Sequence, residues 1–174
     1  MRARTQGQYC IDLALGAFLE MLELDLLECC DLETTSCMEH WSEDNPAYGH
    51  CAVIALIVQD FLGGNLLRAS LESFPKYAHM RSHYWNLLPG NGELAEDVHK
   101  NFILRRTGRR DQTKLIDIEV DLSVSQFEPG IRRIVPEGEV RTREYVLSNP
   151  DTARRYEWLK NRLIAKNPEF YKED

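Results

Sequence analysis

The run CAVIALIVQDFL, residues 51–62, constrains the fold more than any other stretch of this chain. Val53, Ile54, Leu56, Ile57, Val58, Phe61 and Leu62 cover more than one face of a helix, so a helix formed here has to be surrounded by protein. Gly63 and Gly64 follow at once and supply a left-handed C-terminal cap, after which NLLRASL, residues 65–71, reads as a strand. The helix opens on Cys51, where the loop NPAYGH hands over to the apolar run. A thiol in that position is either a small core side chain or a nucleophile held at a helix N-terminus.

The rest of the chain supplies partners for a buried helix. QYCIDLALGAFLEMLELDLLECC, residues 8–30, carries Ile11, Leu13, Leu15, Phe18, Leu19, Leu22 and Leu26 among acidic residues, the pattern of an amphipathic helix, with an interruption expected at Gly16. Residues 31–49 are rich in Thr, Ser, Asp, Asn, Pro and Gly and read as a long ordered loop. SHYWNLL, residues 82–88, alternates as a strand does. Leu94, Val98, Phe102 and Ile103 suggest a helix over 93–106, closed by TGRRDQT, and residues 89–114 together read as an insertion or lid. LIDIEVDL, residues 115–122, sets Ile116, Ile118, Val120 and Leu122 against Asp117, Glu119 and Asp121, the sharpest strand pattern present. Ser148 or Asn149, ahead of Pro150 and Asp151, starts a last helix that runs to about residue 166 with Tyr156, Leu159 and Leu163 as its docking stripe.

This order predicts one α+β domain over residues 1–174, its buried helix packed on a mainly antiparallel sheet, with a C-terminal helix added. A length of 174 residues with 43% hydrophobic content suits a single core. The net charge of −7 argues against a protein whose main work is binding nucleic acid, and RRTGRR, with Arg132 and Arg133, reads as solvated surface. No apolar run reaches membrane-spanning length and no secretory leader is evident, so the expected location is cytoplasmic. Five cysteines, at 10, 29, 30, 37 and 51, fit free thiols in a reducing compartment. Cys37 and His40 have ligand-like spacing, but no CxxC pair accompanies them, and neither a metal nor another cofactor is expected.

The residues that carry chemistry converge on Cys51. A cysteine in the first turn of a helix meets unpaired backbone N–H groups and the positive end of the helix dipole, which favour thiolate. An imidazole on a neighbouring strand is a suitable base, and His83 occupies such a strand. A third group must accept from the far ring nitrogen; Asp121 is the first choice, with Glu119 and Asn86 as weaker ones, Asn86 being expected to face away from His83. The Cys51 N–H and the Asn45 amide are candidate oxyanion donors. His50 is placed as a wall of the cleft, which Trp41, Tyr84 and Trp85 are candidates to line.

HWSEDNPAYGHCAVIALIVQDFLGGNLLRASL, then SHYWNLL, then EVDLSVSQF, resemble in order the signature blocks of the YunG-like family of small bacterial proteins. The resemblance implies a compact α+β fold similar to the papain-like, or NlpC/P60-like, cysteine hydrolases, with cysteine at a helix start, then histidine on a strand, then a polar orienter. Carried over by position, it implies Cys51, His83 and Asp121 as a catalytic triad and Asn45 as an oxyanion helper. The chain departs from the family pattern at His50, where glutamine is usual, and in the long separation between its His and Asp blocks. Two functions follow as expectations: a cysteine-dependent hydrolase or acyltransferase acting on a peptide or small-molecule carbonyl, and a non-catalytic binding module that keeps the same fold.

Overall fold

A computed structural model describes residues 6–88, 103–107, 117–128 and 138–171. Helix α1, Gln6–Cys29, is followed by a turn-rich loop and by α2, Cys51–Leu62, the buried helix expected from the apolar run. The strands are β1, Asn65–Ser70; β2, Ser82–Leu88; β3, Ile103–Thr107; β4, Asp117–Asp121; and β5, Glu139–Arg141. Helices α3, Arg143–Leu147, α4, Pro150–Lys166, and α5, Pro168–Tyr171, complete a single α+β domain. Among the described residues no helix is long and apolar enough to cross a membrane.

The five strands form one sheet in the order β3-β4-β2-β1-β5, and every neighbouring pair is antiparallel. Strand alternation then divides the side chains between two faces. Leu66, Leu88 and Val120 point to the helices and join Val53, Ile54, Leu56, Ile57 and Val58 of α2 with Leu19, Leu22 and Leu26 of α1 and Leu159 and Leu163 of α4. Asn86 shares that face, and its Nδ2 donates to Ala55 O at 2.9 Å, so it does turn away from His83. On the opposite face Leu67, Ala69, Leu71, Tyr77, Trp85 and Phe127 make a smaller second core.

Several elements differ from their sequence reading. Helix α1 runs through Gly16 without a break. A Cβ at Gly16 would meet nothing within 4 Å, so no close approach requires the glycine, and its entropic cost of about 1 kcal/mol is too small to end a docked helix. The helix expected over 93–106 is contradicted at its end: residues 103–107 are strand β3, paired along β4 from Ile103↔Asp121 to Thr107↔Asp117. The partner strand decides this, because local spacing cannot register a long-range ladder. The rest of the 89–114 insertion, residues 115 and 116, Arg132 and Arg133, and the side chains of Ile11, Leu13, Arg105, Arg106 and Ile118 lie outside the described residues. Gly63 and Gly64 end α2 with φ of +68° and +79° as expected, but ψ at Gly63 is −146°, so the chain leaves in a conformation reserved for glycine rather than a left-handed helical turn.

Candidate functional site

Cys51 begins α2, and β2 runs alongside that helix in the same direction, so the helix start meets the strand start. The Cys51 sulfur lies 3.9 Å from Ser82 O, one residue before His83. Cys51 also lines a cavity of about 530 Å³ whose walls include Cys37, Arg81, Tyr84, Tyr145, Asn149 and Arg155. No side chain caps α2 at His50, which leaves the first-turn amides beside this cavity without a side-chain acceptor.

His83 lies behind the sulfur, fully buried. Its ring is stacked on Trp85, at 5.4 Å between centroids, and meets the edge of Phe127 at 4.8 Å. Nε2 is 2.7 Å from Asp121 Oδ2, whereas Nδ1 has no hydrogen-bond partner among the described residues. Burial alone would lower the pKa of this imidazole, but the charge and hydrogen bond of Asp121, helped by the Cys51 thiol, outweigh it and push His83 up to about 9. Asp121 therefore favours the protonated form of the ring.

Asp121 holds its position by its second oxygen. Oδ1 accepts from Ser123 N at 3.1 Å and from Ser123 Oγ at 3.0 Å, fixing the turn that follows β4. The carboxylate is thus both turn cap and imidazole orienter. Glu119 is partly buried and lies opposite Leu87 in the ladder, away from His83.

The other sequence candidates take different places. Asn45 lines a second cavity, of about 450 Å³, together with His40, Tyr48, Tyr77, His79 and Gln126. Its Nδ2 donates to Gln126 O at 3.3 Å, which commits that amide away from Cys51. His50 is fully buried rather than a cleft wall. Its Nδ1 donates to Tyr48 O at 3.0 Å, and its Nε2 lies 2.9 Å from Thr34 Oγ1. Burial pulls His50 down to about 4, so it is a neutral latch between the loop and the start of α2. Trp85 is 1% exposed and braces His83 instead of lining the cleft. Trp41 donates to Pro46 O at 3.1 Å and lines neither of these cavities, while Tyr84 does line the Cys51 cavity.

Three residues at the site escaped the sequence reading. His79 borders both cavities, stacks on His40 at 4.2 Å and lies 2.9 Å from the Tyr48 hydroxyl through Nε2. Arg155 of α4 is buried, paired with Asp151 at 2.7 Å, and donates to Thr34 O and Gly49 O, pinning the loop ahead of Cys51. Arg81, on the wall of the Cys51 cavity, has φ of +62°, the one non-glycine positive φ among the described residues. No spacing rule pointed to them: His79 and Arg81 come from a turn, and Arg155 is a charged side chain buried beside the apolar stripe of α4.

Residues 19–102 match the family model described as YunG protein. Over that span the chain is similar to that family, and the match covers just under half of the chain. The matched span holds Asn45, Cys51 and His83 and ends before Asp121, which the β2–β4 pairing brings to His83. No curated protein and no solved structure matches the chain.

Proposed function

We propose that this YunG-like protein is a cysteine-dependent hydrolase or acyltransferase with a papain-like, NlpC/P60-like arrangement of Cys51, His83 and Asp121. One observation carries the reading: Asp121 takes Nε2 of His83 and leaves Nδ1 unpaired on an imidazole that interacts with the Cys51 thiol. The Cys51 sulfur attacks the carbonyl carbon of an amide, ester or thioester, and its proton resides on His83 Nδ1. The developing oxyanion faces the uncapped amides at the start of α2, including the Cys51 N–H. His83 returns the proton to the leaving group as the carbonyl re-forms on an acyl-sulfur bond. Water or an amine then attacks that bond, gives its proton to Nδ1 and releases the sulfur. Asp121 keeps the ring oriented throughout.

A second reading is favoured by burial. His83 is 0% and Cys51 6% exposed, as expected of a structural pair beneath a cavity that holds a ligand without reacting with it. Intact-mass analysis after brief exposure to p-nitrophenyl acetate at pH 7 separates the two. The catalytic reading expects a single acetyl group on Cys51, absent in Cys51→Ser and strongly reduced in His83→Ala. An adduct spread over lysines, or none on Cys51, contradicts it.

A further inference from the structure

Cys51 shares its cavity with a second thiol. Cys37, from the loop between α1 and α2, lines the same space and is half-buried. Hydrogen bonds fasten its loop to the residues just ahead of α2. Ser36 N and Ser36 Oγ both donate to Gly49 O, at 3.1 Å and 2.9 Å, and Thr35 Oγ1 donates to Tyr48 O at 2.6 Å. Cys37 N in turn donates to Thr35 Oγ1 at 3.1 Å. Gly49 is packed so closely here that a Cβ on it would lie 3.0 Å from Cys37 N. Cys37 is thereby held against the chain two residues before Cys51.

Cys29 and Cys30 are elsewhere. Cys30 is buried in the main core, and Cys29 is partly buried beside it at the end of α1. Burial holds the Cys37 thiol above its ordinary range; the Ser36 hydroxyl works against this and the charge of Cys51 adds to it. Both cysteines are free thiols on the wall of one cavity.

We infer that Cys37 is a resolving thiol for Cys51, and that the cavity accepts a hydroperoxide which oxidises the pair to a reversible Cys37–Cys51 disulfide. The inference shares a nucleophilic Cys51 with the proposed acyl transfer but requires no carbonyl substrate. The Cys51 sulfur, having given up its proton, attacks one peroxide oxygen. The O–O bond breaks, the departing oxygen takes a proton to leave as alcohol or water, and Cys51 becomes a sulfenic acid. The Cys37 sulfur then attacks the Cys51 sulfur, the S–O bond breaks, and the hydroxyl leaves as water with the Cys37 proton. Two thiols and one hydroperoxide thus give one disulfide, one alcohol or water, and one further water. The disulfide blocks the attacking sulfur until a thiol reductant restores it.

The test exposes the full chain to a few equivalents of hydrogen peroxide, caps the remaining thiols and maps the peptides. The expected product is a Cys37–Cys51 linked peptide that disappears with dithiothreitol. In Cys37→Ser, Cys51 is instead trapped by dimedone as the sulfenic acid; in Cys51→Ser, Cys37 stays reduced. Linkage of Cys51 to Cys10, Cys29 or Cys30, or wild-type protein that gives the same dimedone adduct as Cys37→Ser, overturns the proposal, as does a Cys51 that peroxide leaves untouched. Acetylation of the reduced protein is scored separately, so a failed disulfide leaves the acyl-transfer reading standing and a failed acetylation leaves the disulfide standing.

Discussion

His83 Nε2 and Asp121 Oδ2 lie 2.7 Å apart in a fully buried pair, and the other oxygen of the same carboxylate closes the turn at Ser123. Orientation of the imidazole and termination of β4 therefore depend on one side chain. Because His83 is raised from 6.5 to about 9, the folded state binds its proton more tightly than the unfolded chain does. That contribution is fully present below pH 6.5 and is lost as pH rises through about 9. Asp121→Asn retains an acceptor for Ser123 but removes the charge, so the fall in stability between those pH values should flatten in urea titrations. Asp121→Ala, which strips both contacts from a buried site, is expected to cost about 3–5 kcal/mol in the same assay.

His50 titrates in the opposite sense. Held at about 4 against an ordinary 6.5, it favours the fold above pH 6.5, and this contribution is lost as pH falls through about 4. His50→Gln, which keeps a polar side chain but removes the titrating ring, should flatten the acid limb of a thermal-melting series over that window. An unchanged acid limb would assign the loss of stability to other groups.

Glu23 is a buried carboxylate on α1 whose Oε1 has no hydrogen-bond partner among the described residues. Burial first, then the charges of Glu20 and Asp121, raise it from 4.5 to about 7. Here the raised value means a penalty that is absent below pH 4.5 and complete above about 7. Glu23→Gln should therefore stabilise the protein at pH 8, by about 1–3 kcal/mol, and by much less at pH 5, as read from urea midpoints.

Gly49 carries φ of +76°, and a Cβ there would come within 2.4 Å of Thr35 Oγ1. Gly49→Ala combines backbone strain with a clash in the loop that precedes Cys51, and a loss of about 2–4 kcal/mol is expected in chemical denaturation. Gly16→Ala is the control. That site has open space, and alanine should leave the midpoint unchanged or raise it.

The sequence made some of this legible and left the rest hidden for identifiable reasons. Helix α2 was readable because an apolar run covering more than one face admits few alternatives, and Gly63 marked its end. The alternation in β2 placed His83 and Asn86 on opposite faces, as the Asn86 bond to Ala55 O bears out. Asp121 was legible as the last polar residue of a sharply alternating strand, whereas its second bond, to Ser123, depends on the turn that follows β4. Strand β3 was hidden because Ile103 fits a helical stripe with Val98 and Phe102 as well as it fits a ladder, and β4 alone decides between them. The cavity walls were hidden too: His79 and Arg155 reach the site through tertiary packing, which no local pattern records.

Whether His83 makes the Cys51 sulfur reactive is read from the rate at which iodoacetamide modifies Cys51 at pH 7, with Cys37 in the same sample as the internal reference. Cys51 is expected to react at least about tenfold faster than Cys37 in the wild type, and His83→Ala to remove this advantage while the protein stays folded. Equal rates for the two thiols in the wild type, or a Cys51 rate that does not change when the imidazole is deleted, would contradict that role for His83.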